Sequence, residues 1–167
     1  MKVNIFAKDT KDGKKFAEML KEIDSVSVRI GYQSGEKFYT PTDEDGNKIK
    51  NAKPVDMLDV VMFNELGTSR IPPRPFLTNS VDLNRKRIET FIDENAKEVV
   101  EGKITSEQFL NRIGTNHVSL VQESILTGDY VPNAPYTIMK KHSDKPLIDT
   151  GQMMQSVHYI IKEGGGT

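Results

Sequence analysis

Asn64-Glu-Leu-Gly-Thr-Ser-Arg-Ile-Pro-Pro-Arg-Pro-Phe-Leu77 decides how this chain is read. It spells the end of one helix, a rigid proline turn and the start of another. Gly67 follows an apolar run, where helices commonly stop on a glycine at positive φ. Pro72, Pro73 and Pro75 fix φ and remove three backbone donors, so neither a helix nor a central strand passes through. Phe76 and Leu77 open a long helical pattern. The two helices therefore leave this segment at a defined angle before any tertiary contact forms.

Outward from the turn, residues 56–66 form a compact helix with apolar residues all round: Met57, Leu58, Val60, Val61, Phe63 and Leu66. So wide an apolar surface implies burial on more than one side. On the other flank Val81, Ile88, Phe91, Ile92, Val99 and Val100 mark one long helix to about Glu101, with Gly102 as its stop. Thr105 and Gln108 form a capping-box pattern. Phe109, Leu110, Ile113, His117, Leu120, Val121 and Ile125 continue it as a stripe, ended by Gly128.

Nearer the N-terminus, residues 2–6 form a short strand with Val3 and Ile5 on one face. Residues 11–23 are helical, with Asp12 as cap, and Val26, Val28 and Ile30 alternate as a strand. Residues 35–53 read as a projecting hairpin, turning at Asp45-Gly46 between Phe38-Tyr39 and Ile49, or as a loop. Residues 136–141 form one helical turn. Residues 150–155 form another, capped by Asp149 or Thr150. Val157, Tyr159 and Ile161 alternate as a closing strand, and residues 163–167 form a Gly-rich flexible tail. The expected fold is a single α+β domain. A small, mainly antiparallel sheet, made by the N-terminal β–α–β and the C-terminal strand, packs on two long helices.

The 167 residues suffice for one core. The net charge of −1 gives no global attraction to nucleic acid or anionic membrane. The absence of cysteine removes disulfides, thiolate metal sites and a cysteine nucleophile. No apolar run reaches the ~20 residues that span a bilayer. Residues 1–8 lack a signal-peptide core, and Met1 points to an unprocessed product of the cytoplasm. Hydrophobic residues make up 36% and charged residues 28%, which suits a modest core with surface to spare for an assembly.

Few patterns carry chemistry. Leu147-Ile148-Asp149-Thr150-Gly151 resembles the way retroviral-type aspartic proteases present their aspartate. That catalysis needs two carboxylates, so a dimer would have to supply the second. Long helices precede the motif and only 16 residues follow it, whereas such proteases build an all-β shell. The plainer reading is a helix start. Asp43-Glu-Asp-Gly46 lacks the glycine and glutamate spacing of a calcium loop. His117, His142 and His158 show no metal-ligand spacing. No Gly-x-Ser-x-Gly and no phosphate-binding Gly-rich loop occurs. No cofactor is expected. Arg70, Arg74, Arg85, Lys86 and Arg87 form a local basic cluster, read either as a solvated face balanced by Glu65, Asp82 and Glu89 or, in a ring of subunits, as a surface for DNA phosphates or a neighbour's acidic groups. Arg74, held between Pro73 and Pro75, has little backbone freedom, so its guanidinium loses less on ordering in a specific contact.

Asn-Glu-Leu-Gly-Thr followed by Ile-Pro-Pro-Arg-Pro-Phe-Leu resembles a signature of the neck and tail-completion proteins of long-tailed bacteriophages. That group surrounds the lambda-type minor tail protein Z and the Mu-like virion morphogenesis proteins. Lys145-Pro-Leu-Ile-Asp-Thr-Gly-Gln152, about 70 residues on, resembles the second half of that signature. Leu66 departs from it, standing where an aromatic is expected. The resemblance implies a non-enzymatic virion protein, made in the host cytoplasm and placed at the head–tail junction or the head-proximal end of the tail, as a tail- or neck-completion protein or, alternatively, a tail terminator or other minor tail protein. It implies a ring of six or twelve copies between a connector and the tail tube or terminator, with DNA passing through without sequence-specific binding. Asn64, Glu65, Gly67, Arg70, Pro72, Arg74, Pro75, Phe76, Asp149, Thr150 and Gly151 are the subunit-interface residues it suggests. The hairpin and the C-terminal tail are the segments expected to reach into neighbours.

Overall fold

The computed structural model describes residues 11–35, 37–39, 50, 53–141 and 144–163. The fold is α+β. In order come α1 (Lys11–Asp24), β1 (Val26–Gly31), β2 (Lys37–Tyr39), β3 (Val55–Asp56), α2 (Met57–Leu66), α3 (Phe76–Asp82), α4 (Arg85–Val100), α5 (Ser106–Thr127), α6 (Pro135–Lys141), α7 (Gln152–Gln155) and β4 (His158–Glu163). The strand expected at residues 2–6, the Asp45-Gly46 tip, Ile49, His142 and residues 164–167 lie outside the described residues.

Contacts gather the chain into two compact units, divided between Ile30 and Gly31, Arg85 and Lys86, Asn116 and His117, and His158 and Tyr159. Unit 1 is built on Val99, Phe109 and Leu110. Met19, Ile23, Val26, Val28, Ile92, Ala96, Ile104 and Ile113 pack around them. β4 pairs with β1, as a closing strand should. The Tyr159 ring lies across Gly114 of α5, where any side chain would collide with it. The Tyr159 hydroxyl donates to Asn111 Oδ1 at 2.7 Å. Arg112 fastens α5 to α4 through Asn95 Oδ1 (2.9 Å) and Glu98 Oε2 (2.6 Å). The capping box forms in both directions. Gln108 N donates to Thr105 Oγ1 (3.1 Å) and Thr105 N donates to Gln108 Oε1 (3.0 Å).

Unit 2 holds α2, α3, the second half of α5, α6 and α7. Met57, Val61, Phe76 and Leu120 are fully buried in it. Ser124 of α5 donates to Phe76 O at 2.9 Å and shares a 2.6 Å hydrogen bond with the Tyr130 hydroxyl. The Tyr32 ring meets Phe76 edge-on, with centroids 6.3 Å apart. Burial and the nearby Glu65 carboxylate push the Tyr32 phenol well above its ordinary value.

Several expectations are corrected. The helix after the proline turn is two helices, because the run breaks at Leu83-Asn84. There Asn84 Nδ2 turns back to Ser80 O (3.1 Å), and Leu83 N and Asn84 N close on Asn79 O and Val81 O. A polar side chain competing for backbone acceptors is a common way to interrupt a helix. Val81, taken for a core position, is exposed. The described strands form two two-stranded sheets, β1 with β4 and β2 with β3. β2 pairs antiparallel with β3, at Lys37 with Asp56 and Tyr39 with Val55, so its partner lies past Ile49. Asp12 lies within α1 rather than capping it. Asp149 and Thr150 do not cap α7 either. Gly151 takes that place at φ 77°, and Thr150 Oγ1 accepts weakly from Gln152 N, at 3.4 Å. Asp56 does cap α2, accepting from Leu58 N at 2.8 Å.

Candidate docking site in unit 2

Two charged side chains lock the proline turn, and both are buried. Glu65, on the last turn of α2, places its carboxylate at the start of α3. Oε2 accepts from Leu77 N (2.9 Å), and Oε1 accepts from Thr78 N (3.0 Å) and Thr78 Oγ1 (2.7 Å). Pro75, at the N-cap position, offers no side-chain acceptor, so the cap comes from the preceding helix. Its charge also suits the positive end of α3.

Arg74 is 4% exposed. Its Nε donates to Val131 O (2.9 Å) and Nη1 to Asn64 Oδ1 (3.1 Å). Nη2 donates to Pro132 O (3.3 Å) and Asn133 Oδ1 (3.1 Å). Asn64 holds the same residue a second time, since Arg74 N donates to Asn64 O at 2.6 Å. Asn64 Nδ2 donates to Val60 O, which fixes the amide. Burial lowers the Arg74 pKa from its ordinary value, and no ion pair to it occurs among the described residues.

Thr68 shapes the remaining bend. Its Oγ1 accepts from Arg70 N and Ile71 N, and its N donates to Ile71 O. Gly67 lies at φ 74°, ψ 174°, a region open essentially to glycine alone. A Cβ there would stand 2.8 Å from Pro73 N and 2.9 Å from Ile71 O. Gly67→Ala should therefore cost at least ~2 kcal/mol, from backbone strain added to the collision. A urea-denaturation midpoint unchanged by this substitution would contradict the geometry.

The turn borders a cavity of about 300 Å³. Asn64, Arg70, Pro72 and Arg74 line it from the first half of the signature, and Pro146, Leu147 and Asp149 from the second. Val60, Ile71 and Met153 add apolar surface. The structure thus brings together residues about 70 apart in sequence. Glu65, Pro75 and Phe76 do not line the cavity, and Glu65 and Phe76 are buried. Thr150 and Gly151 belong to the start of α7 and are not on the wall.

The basic cluster does not act as one patch. Arg74 is turned inward, whereas Arg70, Arg85, Lys86 and Arg87 are exposed, and Arg85 meets Asp82 at 3.5 Å. Asp149 is the one carboxylate on the cavity wall among the described residues, where an aspartic protease needs two. Also among the described residues, no cluster of His, Asp or Glu is arranged to hold a metal ion, and no helix is long and apolar enough to cross a membrane. The contacts of Arg74 with residues 131–133 escaped the sequence reading. Two signals hinted at them: an arginine confined between prolines, and the Pro132-Asn133 pair in the segment Tyr130 to Pro135, which the sequence marks as a loop. No protein-family model, curated protein or solved structure matches the chain.

Proposed function

We propose that the chain is a structural virion protein of a tailed bacteriophage, one subunit of a ring that completes the neck or tail and joins it to the head. The observation that carries this reading is the face of α2. Met62, Phe63 and Leu66 fall within one arc of the helix and are 45%, 45% and 66% exposed, beside a buried arc of Met57, Val61 and Glu65. An ordered helix leaving three large apolar groups in water is the mark of a surface that another chain covers. The helix ends on a turn fixed by Glu65 and Arg74, and a preorganised surface loses less entropy when it docks. Ring contacts join two different faces and must close. The signature supports the same reading, since its two halves meet on one cavity.

Native mass spectrometry of the full chain, alone and with the connector and tail components of its phage, tests this. Rings of six or twelve copies are expected, and Phe63→Asp should abolish them while leaving the fold intact. In lysates of a phage lacking the gene, electron microscopy should find filled heads separate from tails of normal length. Monomers under all these conditions, together with normal infectious particles from that phage, would remove the proposal.

A further inference from the structure

Among the described residues, Arg74 has bonds only to neutral oxygens. A guanidinium carries five N–H groups. Four are directed to Val131 O, Asn64 Oδ1, Pro132 O and Asn133 Oδ1, which leaves one on Nη1. The charge is buried, and carbonyl and amide dipoles offset only part of the cost of removing it from water. No carboxylate of the described chain compensates it. The exposed Arg70 lines the same cavity and likewise forms no ion pair among the described residues. Much of the remaining wall is apolar, with Val60, Leu147 and Met153 among its residues. A volume of about 300 Å³ matches roughly ten molecules of liquid water, enough for one or two side chains.

We propose that this cavity receives an aspartate or glutamate side chain, with an apolar neighbour, from a peptide segment of a partner protein. The carboxylate pairs with Arg74 and Arg70, and the apolar neighbour packs on Leu147 and Met153. Asp149, on the same wall, accepts a backbone N–H of the incoming segment and disfavours a doubly charged anion such as phosphate. Apolar walls also suit a peptide better than a hydrated phosphodiester. The charge complement belongs to the cavity alone; only the identity of the donor chain rests on the ring reading.

The test is an NMR titration of the ¹⁵N-labelled full chain, following the Nε–H resonances of Arg74 and Arg70. The probes are acetyl-Leu-Glu-Leu-amide, acetyl-Leu-Gln-Leu-amide and inorganic phosphate. A saturable shift with the glutamate peptide is expected, at least tenfold weaker with the glutamine peptide and weaker still with phosphate. Ala134→Trp, at an exposed position on the cavity wall, should abolish the response while leaving the Arg74 bonds in place. Arg70→Gln, on an exposed side chain, should weaken it about tenfold, and it serves alone if the tryptophan variant does not fold. Equal response to the two peptides, a preference for phosphate, or no saturable shift with any probe overturns the proposal. Rings without a glutamate-selective cavity would leave the functional reading standing and remove this inference. A glutamate-selective cavity on a chain that never assembles would do the reverse.

Discussion

Arg74→Ala is expected to lower the stability of the protein by about 3–4 kcal/mol. Hydrogen bonds made by a charged group contribute roughly 1.5–3 kcal/mol each, and an acceptor left buried without a donor costs roughly 1–3 kcal/mol. Four acceptors lose their donor at once: Val131 O, Pro132 O, Asn64 Oδ1 and Asn133 Oδ1. Val131 and Pro132 are exposed residues, so water can serve their carbonyls once the guanidinium is gone, and relief of the buried charge offsets a further share, so the sum stays well below the simple total. Arg74→Lys should recover less than half, because an ammonium lacks the planar fork that serves acceptors from both sides of the guanidinium. Urea denaturation of the full chain at neutral pH measures both variants. A loss below 1 kcal/mol for the alanine variant would mean that the 131–133 loop holds its place without the guanidinium.

Glu65→Ala should cost about 2–3 kcal/mol and act locally on α3. Three donors converge on the carboxylate: Leu77 N, Thr78 N and Thr78 Oγ1. Loss of an N-cap costs about 0.5–2 kcal/mol, and the ionic character of this one raises the figure. Glu65→Gln keeps a single acceptor oxygen for donors that now use two, so it should fall between the parent and alanine. The site-specific measurement is amide hydrogen exchange at Leu77 and Thr78. An opening free energy lowered by about 2 kcal/mol accelerates exchange roughly 30-fold. Unchanged protection at these amides would show that α3 starts equally well without its borrowed cap.

These two residues also show where sequence reasoning reached and where it stopped. Features whose bonds close within a few residues were legible. The Thr105–Gln108 box, the Gly67 stop and the spacing of Phe109, Leu110, Leu120, Val121 and Ile125 all appear where the pattern put them. The pairing of β4 with β1 followed from alternation at both ends of the chain. Glu65 as the cap of α3 was not legible, because a proline occupied the cap position and the acceptor came from another helix. Nor was the break at Asn84, where a side chain's preference for Ser80 O outweighed a continuous apolar spacing. The motif flagged Arg74 as a residue to be ordered by a specific contact. Three of its four side-chain partners lie 57 to 59 residues downstream, a distance over which periodicity carries no information.

That separation sets an order of events during synthesis. The bonds from Glu65 to Leu77 and Thr78, and from Asn64 to Arg74, close over 10 to 13 residues. A loop of that length closes in about 10–100 ns, so the turn is able to form as soon as residue 78 is free. At roughly 5–20 residues per second, the carbonyls of residues 131–132 follow some 3–11 s later. Through that interval the guanidinium is held by Asn64 alone and is open to any anion nearby. The nascent chain thus passes through a stage with its bend already set and its most deeply bonded cation still accessible. Arrival of the 131–133 segment ends that stage.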